Sequence, residues 1–558
     1  MNSHFSLSSA YPVVLNGSVG TPDEPPHTLA PGRVGGTAVT FFALAATAPI
    51  AVLINVVPAG YALGGGPLVP LAFVALGVVL LLFSAGYAAM AHRAPFAGAM
   101  YTYVTRGLGR PSGVGAAWVA LAAYHAVQLG LYGVAGAAAA PLLASWFDLT
   151  VPWWAAAAVC WAIVALAGTI RVEIGSGLIA LLVLAEVAVA AGFTAANLTK
   201  PAGRIGLDSI VPADPAAIDR PALGLLLAVG MLAFVGFETA GTYAEESMRP
   251  RRDPGRAGYA TVAVIAFLLA AASWSMSVAA GPDRVAAVAG TRGSELLFDL
   301  AAARLAPWAV TLGRLMLVTG LLAAMLALHH AICRYLFALG REQVLPGRLG
   351  RTARRTQAPR AASLAQSLLA GALLAAGYLA GVDSPAALAR GLSVAGGLAI
   401  LVVLLATSVA ALLHLNQVPN GEGTWSRFVA PGLSTVALGS LAYLVWRNLP
   451  ALLGVPEGSF WHWIVPAAVG GVAVLGVLHA VALRAARPVI YAGIGQGGVP
   501  VVVTPQLPAP RKPREPGAHR PERVRPLSPA VAREGDARSA GFLPDGEPWA
   551  DEPREPPS

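Results

Sequence analysis

The chain reads as a series of long apolar runs joined by short polar connections. A helix crossing a bilayer core of ~30 Å needs about 20 apolar residues. Twelve runs meet that length, at roughly 36–61, 68–91, 114–144, 151–170, 175–197, 221–244, 257–280, 306–338, 361–381, 387–414, 429–446 and 460–484. None alternates with a period of two, as a barrel strand does, so the pattern predicts helices. The expected fold is an all-α integral membrane protein with about twelve transmembrane helices. Residues 1–33 are expected to form an N-terminal tail and 34–486 the membrane domain. Residues 487–558 are expected to be a disordered Pro/Arg/Glu-rich tail. From 488 onward there are fifteen prolines, nine Lys/Arg and nine Asp/Glu, with too little apolar surface to fold alone.

Composition supports this picture. The 558 residues are 56% hydrophobic and only 12% charged, against about 25% charged in soluble domains. That deficit excludes a soluble enzyme or a nucleic-acid-binding domain. The net charge of +9 comes from Arg, because only Lys200 and Lys512 among 37 basic residues are Lys. This bias fits GC-rich coding of an actinobacterial type better than a nucleic-acid partner. Cys160 and Cys333 both lie in apolar runs, so neither a disulfide framework nor a CxxC site is expected. Basic residues in connecting loops set the orientation. With the N-terminus inside, the inner segments up to Arg487 hold nineteen Lys/Arg and the opposite loops nine. Twelve spans place both termini in the cytoplasm of a multi-pass cell-membrane protein.

Two runs are interrupted. In the first, Ala46-Thr47-Ala48-Pro49-Ile50 puts a proline near the middle. Proline lacks an N–H and clashes with the preceding turn, yet suits the first position of a new half-helix. The amides of Ile50 and Ala51 are then expected to face an anion, favoured by the helix dipole. A simple packed kink is the alternative. In the sixth run, Phe234-Val235-Gly236-Phe237-Glu238 sets a glycine between aromatics and before an acid. Glycine tolerates unwound backbone, whose carbonyls accept from an ammonium group. Five spans separate the breaks, the spacing of transporters whose substrate sits between two repeats.

Three motifs carry a family resemblance. The first is Phe234–Glu238, followed by Glu245-Glu246 and Pro250-Arg251-Arg252-Asp253-Pro254. It resembles the sixth-helix signature of the amino acid–polyamine–organocation permeases. The second is Ala94-Pro95-Phe96-Ala97-Gly98-Ala99-Met100-Tyr101 with Tyr103, similar to the family's stretch between helices 2 and 3. The third, Arg334-Tyr335-Leu336-Phe337-Ala338-Leu339-Gly340-Arg341-Glu342, is like the segment after helix 8. The resemblance spans 33–485. It implies a five-plus-five inverted repeat of the LeuT-like kind, with helices 1 and 6 broken, and alternating access. It further implies that a substrate carboxylate meets the amides after Pro49 and an ammonium the carbonyls around Phe234–Gly236. The expected binding residues are Ala46, Thr47, Ala48, Ile50, Ala51, Tyr124, Gln128, Phe234, Val235, Gly236 and Phe237. The chain departs from many relatives in having Ala-Thr-Ala-Pro at the first break, Met248-Arg249 before the helix-6 proline, and His329-His330 in helix 8.

Polar groups within the runs need individual accounts, since ionisable side chains are costly in hydrocarbon. Tyr124, Gln128 and Tyr132 share one helix face at i, i+4 and i+8, as a cavity wall or as interhelical hydrogen bonds. His125 projects away and is expected to be packed. Glu186 is the only acid in the fifth run, where some proton-coupled relatives carry a lysine. Glu186, then Glu238, are the proton-coupling candidates. A sodium site or a structural hydrogen bond is the competing reading. Glu245 and Glu246, beside Arg249, Arg251 and Arg252, are expected to form a salt-bridged helix end or gate. His329 and His330 diverge, and no metal site is expected.

The leading function is a secondary active amino-acid permease, proton-coupled, with the lipid bilayer as its surroundings and no cofactor or nucleic acid. A polyamine or organic-cation permease or exchanger is the alternative. An integral-membrane enzyme needs a clustered motif, and the chain has no HExxH, DxD, GxSxG or Walker run. A transporter-like nutrient sensor is the third class. Deletion of 495–558 is expected to leave transport intact.

Overall fold

The computed structural model describes residues 28–169, 172–202, 205 and 219–498, with 173 and 174 described by their backbone alone. The expected N-terminal tail up to residue 27, and the tail beyond 498, lie outside the described residues. The first span consists of two helices, α1 (Gly36–Ala46) and α2 (Pro49–Gly60), and a turn at Tyr61–Gly65 leads into α3 (Val69–Arg93). Short α4 (Met100–Leu108) precedes α5 (Arg110–Phe147), α6 (Trp153–Ala167) and α7 (Val172–Thr199). The sixth span starts as α8 (Arg220–Met231) and continues, after its break, as a tight helical stretch, Phe237–Glu246. Then follow α9 (Asp253–Ala280), α10 (Val285–Arg292), α11 (Leu296–Ala302) and α12 (Pro307–Arg341). The chain continues through α13 (Arg360–Leu379), α14 (Pro385–Gln417), α15 (Ala430–Arg447), α16 (Leu449–Leu453), α17 (Trp461–Ala486) and α18 (Pro488–Gly493).

Over their described residues the twelve expected runs are helical apart from the two breaks. Among the described residues, ten helical stretches are long and apolar enough to cross a membrane. The first, Gly36–Arg93, contains two expected spans joined across a kink at Gly64. The expected fourth span is α6, whose 15 residues reach about 22 Å at 1.5 Å per residue, short of the bilayer core.

Small residues let the helices meet backbone to backbone, as in membrane bundles generally. On the α5 surface, a Cβ on Gly136 would stand 2.2 Å from Trp153 O, and one on Gly396 of α14 would meet Ala123 O at 2.9 Å. The outward faces stay apolar. Leu178, Leu181 and Leu184 on α7, and Leu364 and Leu368 on α13, are exposed, as suits a lipid-facing surface.

One boundary is corrected. The disordered tail expected from 487 does not begin there, because α18 and a turn of glycines to Gly498 pack onto the bundle, with Ile494 fully buried. The glycines supply positive φ at Gly495, Gly497 and Gly498, a conformation that the proline content downstream gave no reason to expect.

Candidate functional site

The break in the first span forms as the sequence predicts. Ala48 sits in the left-handed region at φ 49°, and Pro49 opens α2 at its first position. Left-handed backbone costs a non-glycine residue about 1–2 kcal/mol, so surrounding contacts must hold it. Val52 N closes back onto Ala48 O at 3.0 Å, and Thr47 Oγ1 donates to Leu44 O at 2.7 Å. The break in the sixth span centres on Gly236 at φ 118°, with Val235 extended before it. The two breaks touch, for the nearest atoms to a Cβ on Gly236 would be the backbone of Ala46 and Thr47.

Each break holds a carboxylate of the protein itself. Ile50 N donates to Glu186 Oε1 at 2.6 Å, bringing the α7 acid onto the buried amide end of α2. Glu186 Oε2 has no hydrogen-bond partner among the described residues and lies against Gly320 of α12, where a Cβ would stand 2.8 Å from it. Gly236 N donates to Glu238 Oε2 at 3.0 Å, and Tyr124 Oη donates to Glu238 Oε1 at 3.0 Å. Thr47, Ile50, Tyr124, Phe234, Gly236, Phe237, Glu186 and Glu238 are all buried. The Ile50 amide expected to await a substrate carboxylate is therefore already occupied.

The polar stripe on α5 divides. Tyr124 faces the sixth-span break. Gln128 instead donates to Met325 O of α12 at 2.9 Å and accepts from Gln366 Nε2 of α13, which is the interhelical role. His125 bonds within its own helix, to Leu121 O at 2.7 Å. His329 reaches Ser363 Oγ at 3.0 Å, and His330 packs edge-on against Phe42. Sequence reasoning missed Tyr87, whose hydroxyl donates to Glu238 O at 2.9 Å. Nothing in the spacing of α3 distinguishes this tyrosine from an ordinary core aromatic.

Ion pairs join the helices at the Arg-rich end of the bundle. Glu246 takes a 2.5 Å contact from Arg334 Nε, with both side chains 2% exposed, and the guanidinium lies 4.1 Å from the Tyr243 ring centre. Tyr243 stacks in turn on Phe42 of α1 at 4.4 Å. Glu245 accepts from Arg341 at 2.7 and 2.6 Å and from Ala97 N at 2.9 Å. A bridge between Val34 and Ser247 ties the approach to α1 to the end of the sixth span. The two acids are thus salt-bridged, as expected, with Arg334 and Arg341 of α12 as partners. Those two stand in the third motif, a signal that spacing within one segment could not connect to Glu245 and Glu246. Outside the spans, hydrogen bonds from Arg93 hold the Glu422 carboxyl down to about 2. Burial pushes Glu342 up.

Paired helix breaks within a polytopic helical bundle are an arrangement found in membrane transporters. Residues 37–486 match the family described as Amino acid permease, and the chain belongs to that family of amino-acid transporters. A search of curated proteins finds no match.

Proposed function

We propose that the protein is a secondary active amino-acid permease in which proton and substrate enter together because two carboxylates compete for one helix end. The observation that carries this reading is the 2.6 Å bond from Ile50 N to Glu186. A helix N-terminus favours one anion at its free amides. An arriving substrate carboxylate displaces Glu186 from that position. A displaced, unpaired carboxylate in the protein interior costs several kcal/mol, so Glu186 takes up a proton as the substrate binds. When the substrate leaves, Glu186 returns to Ile50 as an anion and the proton departs. Ala46, Thr47, Ala48 and Ala51 line this exchange on one side. Phe234, Val235 and Phe237 line it on the other, where carbonyls receive the ammonium group and Tyr124 holds Glu238. Both termini lie in the cytoplasm, and the ion-paired Arg-rich end is the inner gate of an alternating-access cycle.

The test is the pH dependence of substrate binding. Uptake of one proton makes affinity rise about tenfold per unit fall in pH, by linkage. Glu186→Gln keeps a side-chain oxygen for Ile50 N but carries no proton, so its binding should be flat with pH and its substrate exchange retained. Equal pH dependence in both proteins overturns the reading. A second reading has its own observation, two buried carboxylates at the breaks with Arg334 already paired to Glu246. That charge balance favours a cationic amine, and binding of a diamine in preference to neutral amino acids would select it.

A further inference from the structure

The segment after α17 seals the same end of the bundle a second time. Glu342, just past α12, accepts from Gly495 N at 2.9 Å, from Gly497 N at 2.8 Å and from Tyr101 Oη of α4. Two amides from one turn converging on a carboxylate form a small anion nest, and the three positive-φ glycines of this turn make it sterically accessible. The contacts are close. A Cβ on Gly497 would stand 2.4 Å from the Phe96 ring, one on Gly495 2.5 Å from Thr105, and one on Gly498 2.8 Å from the Arg341 side chain. Upstream, Arg110 donates to Ala492 O at 3.1 Å and lies 5.4 Å from the Tyr491 ring centre.

Phe96–Ala97 and Arg341 are therefore held together from two sides. Glu245 bonds Ala97 N and Arg341 from within the bundle. The turn at 494–498 covers Phe96 and Arg341 from outside. The geometry points to residues 488–498 as a built-in strap that restrains opening of the Arg-rich end, so that the chain beyond the last span regulates access to the site. The carboxylate of Glu342 is its anchor. The strap holds two elements next to the gate pair without touching either helix break, so it acts on the conformational equilibrium and leaves substrate contacts alone.

The test places a reporter at the gate. Ser247, buried beside Val34, is changed to cysteine in a chain carrying Cys160→Ser and Cys333→Ser, and a polar maleimide is applied to the protein in lipid nanodiscs. Truncation after residue 487, and Gly497→Val in the full chain, should each speed labelling about fivefold or more, a coupling of ordinary size. Truncation after residue 498 should label at the parent rate. Equal rates in all four proteins overturn the strap, and so does faster labelling on truncation after 498. If truncation after 487 prevents folding, Gly497→Val and Glu342→Gln carry the test at full length. Uptake measured alongside separates this inference from the proposed proton coupling, because labelling reads opening whether or not a proton moves.

Discussion

Gly236 and Ala46 meet backbone to backbone, so that a Cβ on Gly236 would stand 2.6 Å from both the carbonyl carbon and the oxygen of Ala46. The two helix breaks thus form one unit, and Gly236 is the residue that lets them close on each other. At φ 118° any side chain also meets backbone strain of about 1–3 kcal/mol, with overpacking adding a similar amount.

Gly236→Ala should therefore reduce uptake by tenfold or more, about 1.4 kcal/mol or above, at unchanged membrane insertion. Gly439→Ala is the control, because nothing lies within 4 Å of a Cβ there. Uptake per inserted molecule, compared across the two variants, decides the matter. Full activity of Gly236→Ala would mean that the breaks do not need this close approach.

The breaks were legible because they are local events. Pro49 lacks an N–H, and Gly236 sits between aromatics before an acid, so each announces itself within five residues. The occupants of the breaks were only half legible. Glu186 stood out as a lone acid in an apolar run, but its bond to Ile50 spans 136 positions and no periodicity encodes it. The salt-bridged end was legible from its acids and arginines, but the partners were not, since Arg249 and Arg251 are near Glu245 in sequence whereas Arg341 is near it in space. The strap was hidden by averaging. A stretch rich in proline and balanced charge reads as disordered, and its first eleven residues, which carry Tyr491, Ile494 and four glycines, were pooled with the rest. Deletion of 495–558 would also remove Gly495 and Gly497 from Glu342, whereas a cut after 498 keeps them.

The α5 stripe predicts a separation of effects. Tyr124 bonds Glu238 at the break, while Gln128 joins α12 to α13 through Met325 O and Gln366. Gln128→Leu takes from the buried Gln366 amide its Gln128 acceptor, at about 1–3 kcal/mol, and removes the side-chain donor to Met325 O. It should lower the melting temperature with the substrate Kd unchanged. Tyr124→Phe should shift transport kinetics with a smaller loss of stability. A changed Kd for Gln128→Leu would return that residue to the cavity wall.

Glu422 gives a prediction in pH. Arg93 Nε donates to Glu422 Oε1 at 2.6 Å and Asn420 N to Oε2 at 3.0 Å, joining the end of α3 to the loop after α14. These bonds favour the ionised form and depress the carboxyl from 4.5 to about 2. A depressed carboxylate contributes stability that is full above its ordinary value and is lost as pH falls through the depressed one. Thermal unfolding in detergent should therefore show wild type more stable than Glu422→Gln at neutral pH. The gap should close as pH falls from about 4.5 towards 2. A gap that persists at the acid end would assign the effect to packing instead.

Among the ion pairs of the described residues, that of Arg334 and Glu246 is the most buried, so it should be costly to break and cheap to replace. Both side chains are buried, Arg334 also donates to His330 O at 2.9 Å, and its guanidinium lies on the Tyr243 ring. Removing one member leaves a charge buried without its main counter-ion, at about 3–5 kcal/mol. Arg334→Leu and Glu246→Leu should each destabilise the protein by roughly that amount. Replacing both by leucine removes both charges, and such swaps are often neutral or stabilising. The double variant should thus recover most of the lost stability, so that the coupling between the two sites exceeds either single loss of about 3–5 kcal/mol. Function should not recover with it. An apolar pair has no ionic contact to break and remake at the end of α12, so the double variant should fold and yet transport slowly. Arg334→Lys sharpens the point, because a lysine cannot pair with Glu246, bond His330 O and lie flat on Tyr243 together. Melting temperatures of the four proteins in the mutant cycle, with uptake measured on each, decide it. Restored uptake in the double variant would show that the pair serves packing alone and that the gate lies elsewhere.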